Sequence, residues 1–257
     1  MSQLPVPPAL LDDLARVDEI ILERVRPRLA VIRAAGEHIL TSGGKRIRAA
    51  LTLLSAQLGE YNLERVLHSA AAVELIHAAS LVHDDLVDQA ARRRGEVTVH
   101  TRWDGDVALM VGDYFFALAA AEMALAPDPR IIGYFSRGVM TICEGELSPV
   151  VNVAPLNIAL EQYLYKIGCK TAALFEAGCK AGMVCGGGTT EQIETLGRFG
   201  YDLGLAFQIV DDVLDYVGDA QTLGKPAGND LREGTITLPL IYAVEASGNN
   251  ELAAVVD

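Results

Sequence analysis

Residues 63–88 read LERVLHSAAAVELIHAASLVHDDLVD. Apolar side chains recur through this stretch at helical spacing. Ala70, Val73, Leu75, Ile76, Ala79 and Leu81 leave little polar surface before the run closes on Asp84-Asp85-Leu86-Val87-Asp88. An apolar segment of this length, without Gly, Pro or strict alternation, predicts a buried helix from Leu63 to about Val87. On a helix, residues four apart share a face. Asp84 and Asp88 therefore project together, while Asp85 points aside.

The same device recurs in GLAFQIVDDVLDY at 204–216, where Asp211, Asp212 and Asp215 repeat the DDxxD spacing. A pseudo-repeat with two facing helices would put the acids opposite each other. Helical periodicity extends almost everywhere else. Leu10 to Ile39 reads as one or two helices broken at Pro27, and Lys45 to Leu58 as a helix ending at Gly59. Further helices are predicted from Val107, over Ile131–Glu146, Leu160–Val184 and Glu191–Tyr216. Arg92-Arg93-Arg94-Gly95 and Gly186-Gly187-Gly188-Thr189-Thr190 interrupt the pattern, and Gly218 to Gly234 is a polar, Gly-rich loop carrying Lys225. No series of alternating segments appears, so the fold class is all-α. No linker or shift of composition divides the chain, which predicts a single domain over 1–257.

The chain has 257 residues, 51% hydrophobic and 6% aromatic, so a large aliphatic core is available. Lys and Arg number 21 against 34 Asp and Glu, a net charge of −13. That field argues against nucleic acid or an anionic membrane surface as partner, though a local basic cluster can still hold a small anion. Cys143, Cys169, Cys179 and Cys185 form no CxxC pair and read as thiols in a reducing cytoplasm. The N-terminus lacks the basic start and apolar run of a signal peptide. Val107 to Ala126 is the best membrane candidate, but Asp113 and Glu122 interrupt it, so no transmembrane segment is expected.

Carboxylates held close repel one another unless a cation sits between them, and hard oxygen ligands suit Mg²⁺, which takes phosphate oxygens as further ligands. A single DDxxD could be an ordinary solvated helix end. Two, each after an apolar helix, favour metal. His77 lies two turns before Asp84 and would alone read as a core histidine. Gln208 lies a turn before Asp211 and Asp212, and His83 reads as structural. The cationic side is also organised. Gly43-Gly44-Lys45-Arg46-Ile47-Arg48 opens a helix, where free N–H groups favour an anion, and Lys45 and Arg48 share a face. Arg93 and Arg94 follow the first acidic motif, Lys225 follows the second, and Lys170 with Thr171 begins a further apolar turn. Arg46 and Arg92 read as surface ion pairs. Basic groups beside acidic helix ends point to a diphosphate held partly by Mg²⁺ and partly by guanidinium forks.

GGKRIR, VELIHAASLVHDDLVDQAARRRG, KTAALFEAG, GLAFQIVDDVLDY, GKPAGNDLREG and TLPLIYAV together resemble the trans-isoprenyl diphosphate (polyprenyl) synthase family, in order and spacing, over Leu29 to Val244. The resemblance implies a bundle of antiparallel helices around a central cavity, a homodimer, and Mg²⁺, with three ions when substrate is bound. It implies head-to-tail addition of isopentenyl diphosphate to an allylic diphosphate. It also implies that the departing diphosphate takes the final proton. Lys45, Arg48, His77 and Arg94 then resemble the isopentenyl diphosphate site, and Arg93, Lys170 and Lys225 the allylic diphosphate site. Asp84, Asp88 and Asp211 are the leading metal ligands. Asp85 and Asp215 are further candidates, and Asp85, Asp212 and Asp215 could act through water. Oxygens of Thr171 and Gln208 are placed to stabilise a cation.

Ala79 and Ser80, five and four residues before Asp84, stand where short-chain relatives carry a bulky aromatic. Two small residues predict an open tunnel and a product of geranylgeranyl length or longer, most simply a quinone side chain. A floor set by Phe115, Phe116 or Met123 is the alternative. Two departures stand out: Thr235 occupies a position where many relatives have Lys, and the family leads one to expect further helices after TLPLIYAV. Two competing activities are a non-catalytic subunit of a heteromeric synthase and a terpene cyclase. The first usually loses aspartates that this chain keeps, and the second lacks GGKRIR.

Overall fold

A computed structural model describes residues 7–26, 29–218, 228–232 and 234–247. The expected break at Pro27 and the candidate Lys225 both lie outside the described residues. Two compact units divide the chain, Met1–Ser136 with Ala177–Gly197 and Arg137–Glu176 with Arg198–Asp257, so both are discontinuous in sequence.

The first unit opens with α1 (Pro8–Val25) and α2 (Ala30–Thr41). Pro8 occupies the first turn of α1, where a missing N–H costs nothing. Leu10, Leu14, Val17, Ile21 and Val25 form its buried stripe. Helix α3 (Ile47–Gln57) starts two residues later than the spacing predicted, because Arg46 takes a left-handed φ of 50° as its N-cap. Helix α4 (Leu63–Val87) has the expected limits and is buried nearly all round, packed against α1, α3 and α6. It is also, among the described residues, the one helix long and apolar enough to cross a membrane, and 72% of its most apolar window lies inside the protein.

The RRRG break is a hairpin, β1 (Arg92–Arg93) paired antiparallel with β2 (Glu96–Val97). Its turn places Arg94 at φ 53° and Gly95 at φ 84°, the left-handed pair a two-residue hairpin loop demands. A short α5 (Val99–Arg102) leads to α6 (Gly105–Met123), whose N-cap Asp104 accepts from Val107 N at 2.7 Å. Glu122, one of the acids that argued against a membrane span, is buried in α6. It accepts from Arg24 Nε at 2.6 Å and pairs with His68 Nδ1 at 2.7 Å, joining α1, α4 and α6.

Next come α7 (Arg130–Glu146) and α8 (Leu156–Ile167), then a π-helical turn (Gly168–Ala172), α9 (Ala173–Cys185) and α10 (Thr190–Val217). The predicted continuous helix over Leu160–Val184 is thus longer at its start and carries one wide turn. On α9, Gly178 and Gly182 let the first unit close tightly, since a Cβ at either would fall within 2.9 Å of Thr52 atoms. In the second unit, Ala159, Tyr163 and Ile167 of α8 form a core with Ile241 of α12 (Leu238–Ser247). A four-residue helix, α11 (Asn229–Arg232), lies in what the sequence read as loop. Apart from the hairpin, the described residues are helical or irregular, as the all-α expectation requires.

Candidate substrate and metal site

In the first unit the GGKRIR loop and the hairpin meet. Arg94 donates to the Gly43 carbonyl, and a Cβ on Gly44 would lie 3.0 Å from Arg94 Nη1 and 3.1 Å from Arg46 Nη1. Two glycines therefore serve distinct ends here. Gly43 takes φ 84°, and Gly44 leaves room for two guanidinium groups. Arg46 is held by Asp18 at 2.7 Å and by the Leu40 carbonyl at 3.1 Å, an ion pair as expected. Arg92 donates to the Gly95 carbonyl at 2.8 Å and so braces its own turn.

Glu74 of α4, only 5% exposed, is a site residue that sequence reasoning missed. Its Oε1 accepts from Ala49 N at 3.0 Å, capping the first turn of α3, and its Oε2 lies 3.9 Å from Arg46 Nη1. Mid-helix acids on an otherwise apolar face are its only sequence signal. Around it the cations crowd. Burial pushes the Arg48 guanidinium down to about 10, with Glu74 opposing and Arg94 reinforcing the shift. Arg94 is lowered by burial and then by Arg93 and Arg46. His77 is held well below its ordinary value by burial first, then by Arg48, Arg94, Arg93 and Arg46, so it is a neutral imidazole. Cations that depress one another make a site short of negative charge. Lys45 is exposed at the mouth of the same loop.

The acids of the first motif divide. Asp84 is half-buried and Asp88, the C-cap of α4, is exposed. Asp85 is turned inward, its Oδ1 accepting from Arg93 Nε at 2.7 Å. Burial raises the Asp85 carboxyl and Arg93 draws it back. Ala79 is fully buried, and Ser80 donates to the His77 carbonyl at 2.9 Å. His83 is structural, lying 3.2 Å from the Leu109 carbonyl and against Gly112, where a Cβ would come within 2.1 Å of its ring. Of the alternative floor residues, Phe115 is fully buried and Met123 is 8% exposed.

The second unit carries the other motif. Asp211 is exposed. Asp212 is buried and fully engaged: Oδ2 accepts from Tyr163 Oη at 2.7 Å and Oδ1 from Gln208 Nε2 at 2.8 Å. Burial raises its carboxyl, and those two hydrogen bonds oppose the shift. Asp215, 2% exposed, accepts from Asp230 N through Oδ2 at 2.9 Å, and its backbone carbonyl accepts from Gly228 N at 2.6 Å. The π turn presents Lys170 outward, 3.4 Å from Glu146, and Thr171 inward, donating to Gln208 Oε1 at 2.8 Å. Wide turns of this kind recur at functional positions. Tyr163 was not singled out in the sequence, where an aromatic at helical spacing reads as core.

Guanidinium groups clustered around a neutral histidine in the first unit define a class of all-α protein suited to a condensed phosphate anion, and each unit carries one DDxxD motif of its own. A model of the polyprenyl synthetase family matches residues 29–256. Heptaprenyl diphosphate synthase component 2 of Geobacillus stearothermophilus is 41% identical over 235 residues, 91% of this chain and 73% of that protein. Octaprenyl diphosphate synthase of Escherichia coli K12 is 38% identical over 232 residues, 90% of this chain and 72% of that one. A polyprenyl synthase from Caulobacter crescentus CB15, solved with calcium and isoprenyl diphosphate, aligns over 95% of this chain and 74% of its own, with 41% identity and a TM-score of 0.87. The chain belongs to the polyprenyl synthetase family and is a prenyltransferase.

Proposed function

We propose that the chain elongates an allylic diphosphate with isopentenyl diphosphate, in an Mg²⁺-dependent reaction, to a product of geranylgeranyl length or longer. The observation that carries this reading is the crowding of Arg48, Arg93 and Arg94 about a neutral His77, which calls for a bound polyanion. Lys45, Arg48, His77 and Arg94 would hold isopentenyl diphosphate, His77 donating an N–H without adding charge. Arg93, Lys170 and Lys225 are assigned to the allylic diphosphate.

Asp84, Asp88 and Asp211 are assigned to metal. Among the described residues no three His, Cys, Asp or Glu side chains gather into a closed set. Mg²⁺ is held by one or two carboxylates plus phosphate oxygens and water, and carboxylates at helix ends, as at Asp84, Asp88 and Asp211, are the hard oxygen donors it takes. Asp85, Asp212 and Asp215 already serve Arg93, Tyr163 with Gln208, and Asp230. When bound, Mg²⁺ would offset the diphosphate charge and improve it as a leaving group. The allylic C–O bond then breaks, its electron pair leaving on diphosphate. The isopentenyl double bond attacks the cationic carbon, and the new tertiary cation loses a proton to the released diphosphate. Oxygens at Thr171 and Gln208 would face the transient positive charge.

A homodimer is part of the proposal. One face of α6 is buried, while the other leaves Leu109 and Met110 exposed with Ala117, Ala120 and Ala121 along the same helix. A cytoplasmic setting is part of the same proposal; Cys143, Cys169, Cys179 and Cys185 form no disulfide. A second reading follows from the Geobacillus relative, whose name marks it as one component of a synthase. Purified protein incubated with isopentenyl diphosphate, an allylic primer and Mg²⁺ separates the cases. Polyprenyl diphosphate from the chain alone is the expected result; no turnover without a second protein would favour the component, and hydrocarbons a cyclase. Asp84→Asn should abolish turnover, and retained activity would overturn the metal assignment.

A further inference from the structure

We infer that Tyr163 is a positioning residue: through Asp212 and Gln208 it fixes the direction of the Thr171 hydroxyl and so leaves the Thr171 lone pairs for an electron-poor carbon of the substrate. The inference rests on the functional reading above and adds to it a residue and a polarity. All four residues lie in the second unit, on α8, the π turn and α10.

Tyr163 is 1% exposed, surrounded by Ala159, Ile167 and Ile241. A phenol in such a core carries a desolvation cost unless its hydroxyl is satisfied. Its hydroxyl reaches Asp212 Oδ2 at 2.7 Å, and Gln208 Nε2 reaches the other oxygen, Oδ1, at 2.8 Å. A carboxylate only accepts, so Gln208 must turn its NH₂ group toward Asp212 and its Oε1 the other way. That oxygen lies 2.8 Å from Thr171 Oγ1. A hydroxyl has one proton, and here Gln208 takes it.

The three bonds therefore point toward one acceptor, with Thr171 giving to Gln208, Gln208 giving to Asp212, and Tyr163 giving to Asp212 from the far side. What Thr171 has left to offer is lone pairs, the partner a developing carbocation needs. Reversing the amide would turn the Thr171 proton outward and set a positive dipole against that carbon. Tyr163 opposes the reversal by holding Asp212 as an acceptor in a fixed orientation. Nothing else in the core of α8 requires a hydroxyl at this position, since a phenylalanine would fill the same volume.

The test compares two non-reacting ligands by titration calorimetry with Mg²⁺ present. One is an ammonium analogue of farnesyl diphosphate, with a protonated nitrogen in place of the third carbon, which shares the positive charge of the allylic cation. The other is farnesyl thiolodiphosphate, which carries no such charge. Wild type should prefer the ammonium ligand, and Tyr163→Phe should lose about tenfold of that preference while binding the thiolo ligand within about twofold of wild type, the scale of one buried hydrogen bond. In a Thr171→Val background, Tyr163→Phe should change the preference by less than about twofold, because its route of action is gone. Equal weakening of both ligands, an unchanged preference, or additive effects in the double variant would each overturn the inference. If wild type makes polyprenyl diphosphate and one of these results appears, the inference fails alone. If wild type binds neither ligand, the functional reading fails and takes the inference with it. Thermal midpoints of the variants check that the fold is kept.

Discussion

Arg94, at the tip of the hairpin, donates to the carbonyl of Gly43, 51 residues earlier in the chain. The bond locks the arginine turn onto the glycine turn, and Gly44 lies between the Arg94 and Arg46 guanidinium groups. Gly44→Ala would put a methyl group 3.0–3.1 Å from both guanidinium groups, which would have to give by a few tenths of an ångström. The flexible side-chain tips would yield and the backbone would not. The KM for isopentenyl diphosphate should rise roughly tenfold, as expected when a charged hydrogen bond is misplaced. Thermal unfolding should move little, so a large loss of stability with unchanged KM would refute the account.

Glu74 does two separable jobs, capping α3 at Ala49 N and offsetting the arginines. Glu74→Ala removes both and should cost about 2–4 kcal/mol in urea unfolding, because it strips a buried counter-charge from a cationic cluster. Glu74→Gln keeps an acceptor for Ala49 N and should lose much less. With one negative charge gone, it should bind inorganic diphosphate more tightly than wild type, which titration calorimetry would read directly.

His77 sets a pH dependence. Its imidazole titrates well below 6.5 in the folded chain, owing to burial and four nearby arginines. Below its ordinary pKa the unfolded chain binds a proton that the folded chain refuses, so stability rises with pH there and falls as pH drops. Urea midpoints should decline between about pH 7 and pH 5 more steeply for wild type than for His77→Gln, which has no proton to gain. Parallel curves would mean that His77 is not shielded in this way.

Ala79 is fully buried one turn and a residue before Asp84. If the growing chain passes this point, Ala79→Phe should shorten the main product, as measured by chromatography of the dephosphorylated prenols. An unchanged product length from an active variant would move the floor to Phe115, Phe116 or Met123.

Met110 is 56% exposed on the outer face of α6. A second copy seated there would not tolerate a charge, so Met110→Glu should shift the sedimentation coefficient from dimer to monomer. A monomeric wild type, or a dimeric variant, would place the interface elsewhere.

The long helices were legible because their apolar spacing is unambiguous: α4 was read with its actual limits, and both acidic motifs fall at the helix ends expected. Less visible was anything that depends on a partner far along the chain. The π turn at Gly168–Ala172 has ordinary helical composition, and only the close approach of Gly168 to Tyr201 and of Gly204 to Ala172 marks the packing around it. The RRRG break read as loop because two-residue strands are too short to show alternation. Glu74 and Tyr163 were not singled out in the sequence, because what distinguishes each is a hydrogen-bond partner far along the chain, 25 residues away for Glu74 and 49 for Tyr163.

The two aspartate motifs are twins in spelling, yet their last letters are employed differently. Asp88 closes a helix in the open, whereas Asp215 is sealed inside and ties the returning chain at Gly228 and Asp230. A mutational scan scored by turnover alone would report both as indispensable and hide the difference. Scored by folded yield, it would show whether the sealed Asp215 is needed for folding in a way that the open Asp88 is not. If the pair arose by duplication, the copies have diverged in occupation while keeping a common signature.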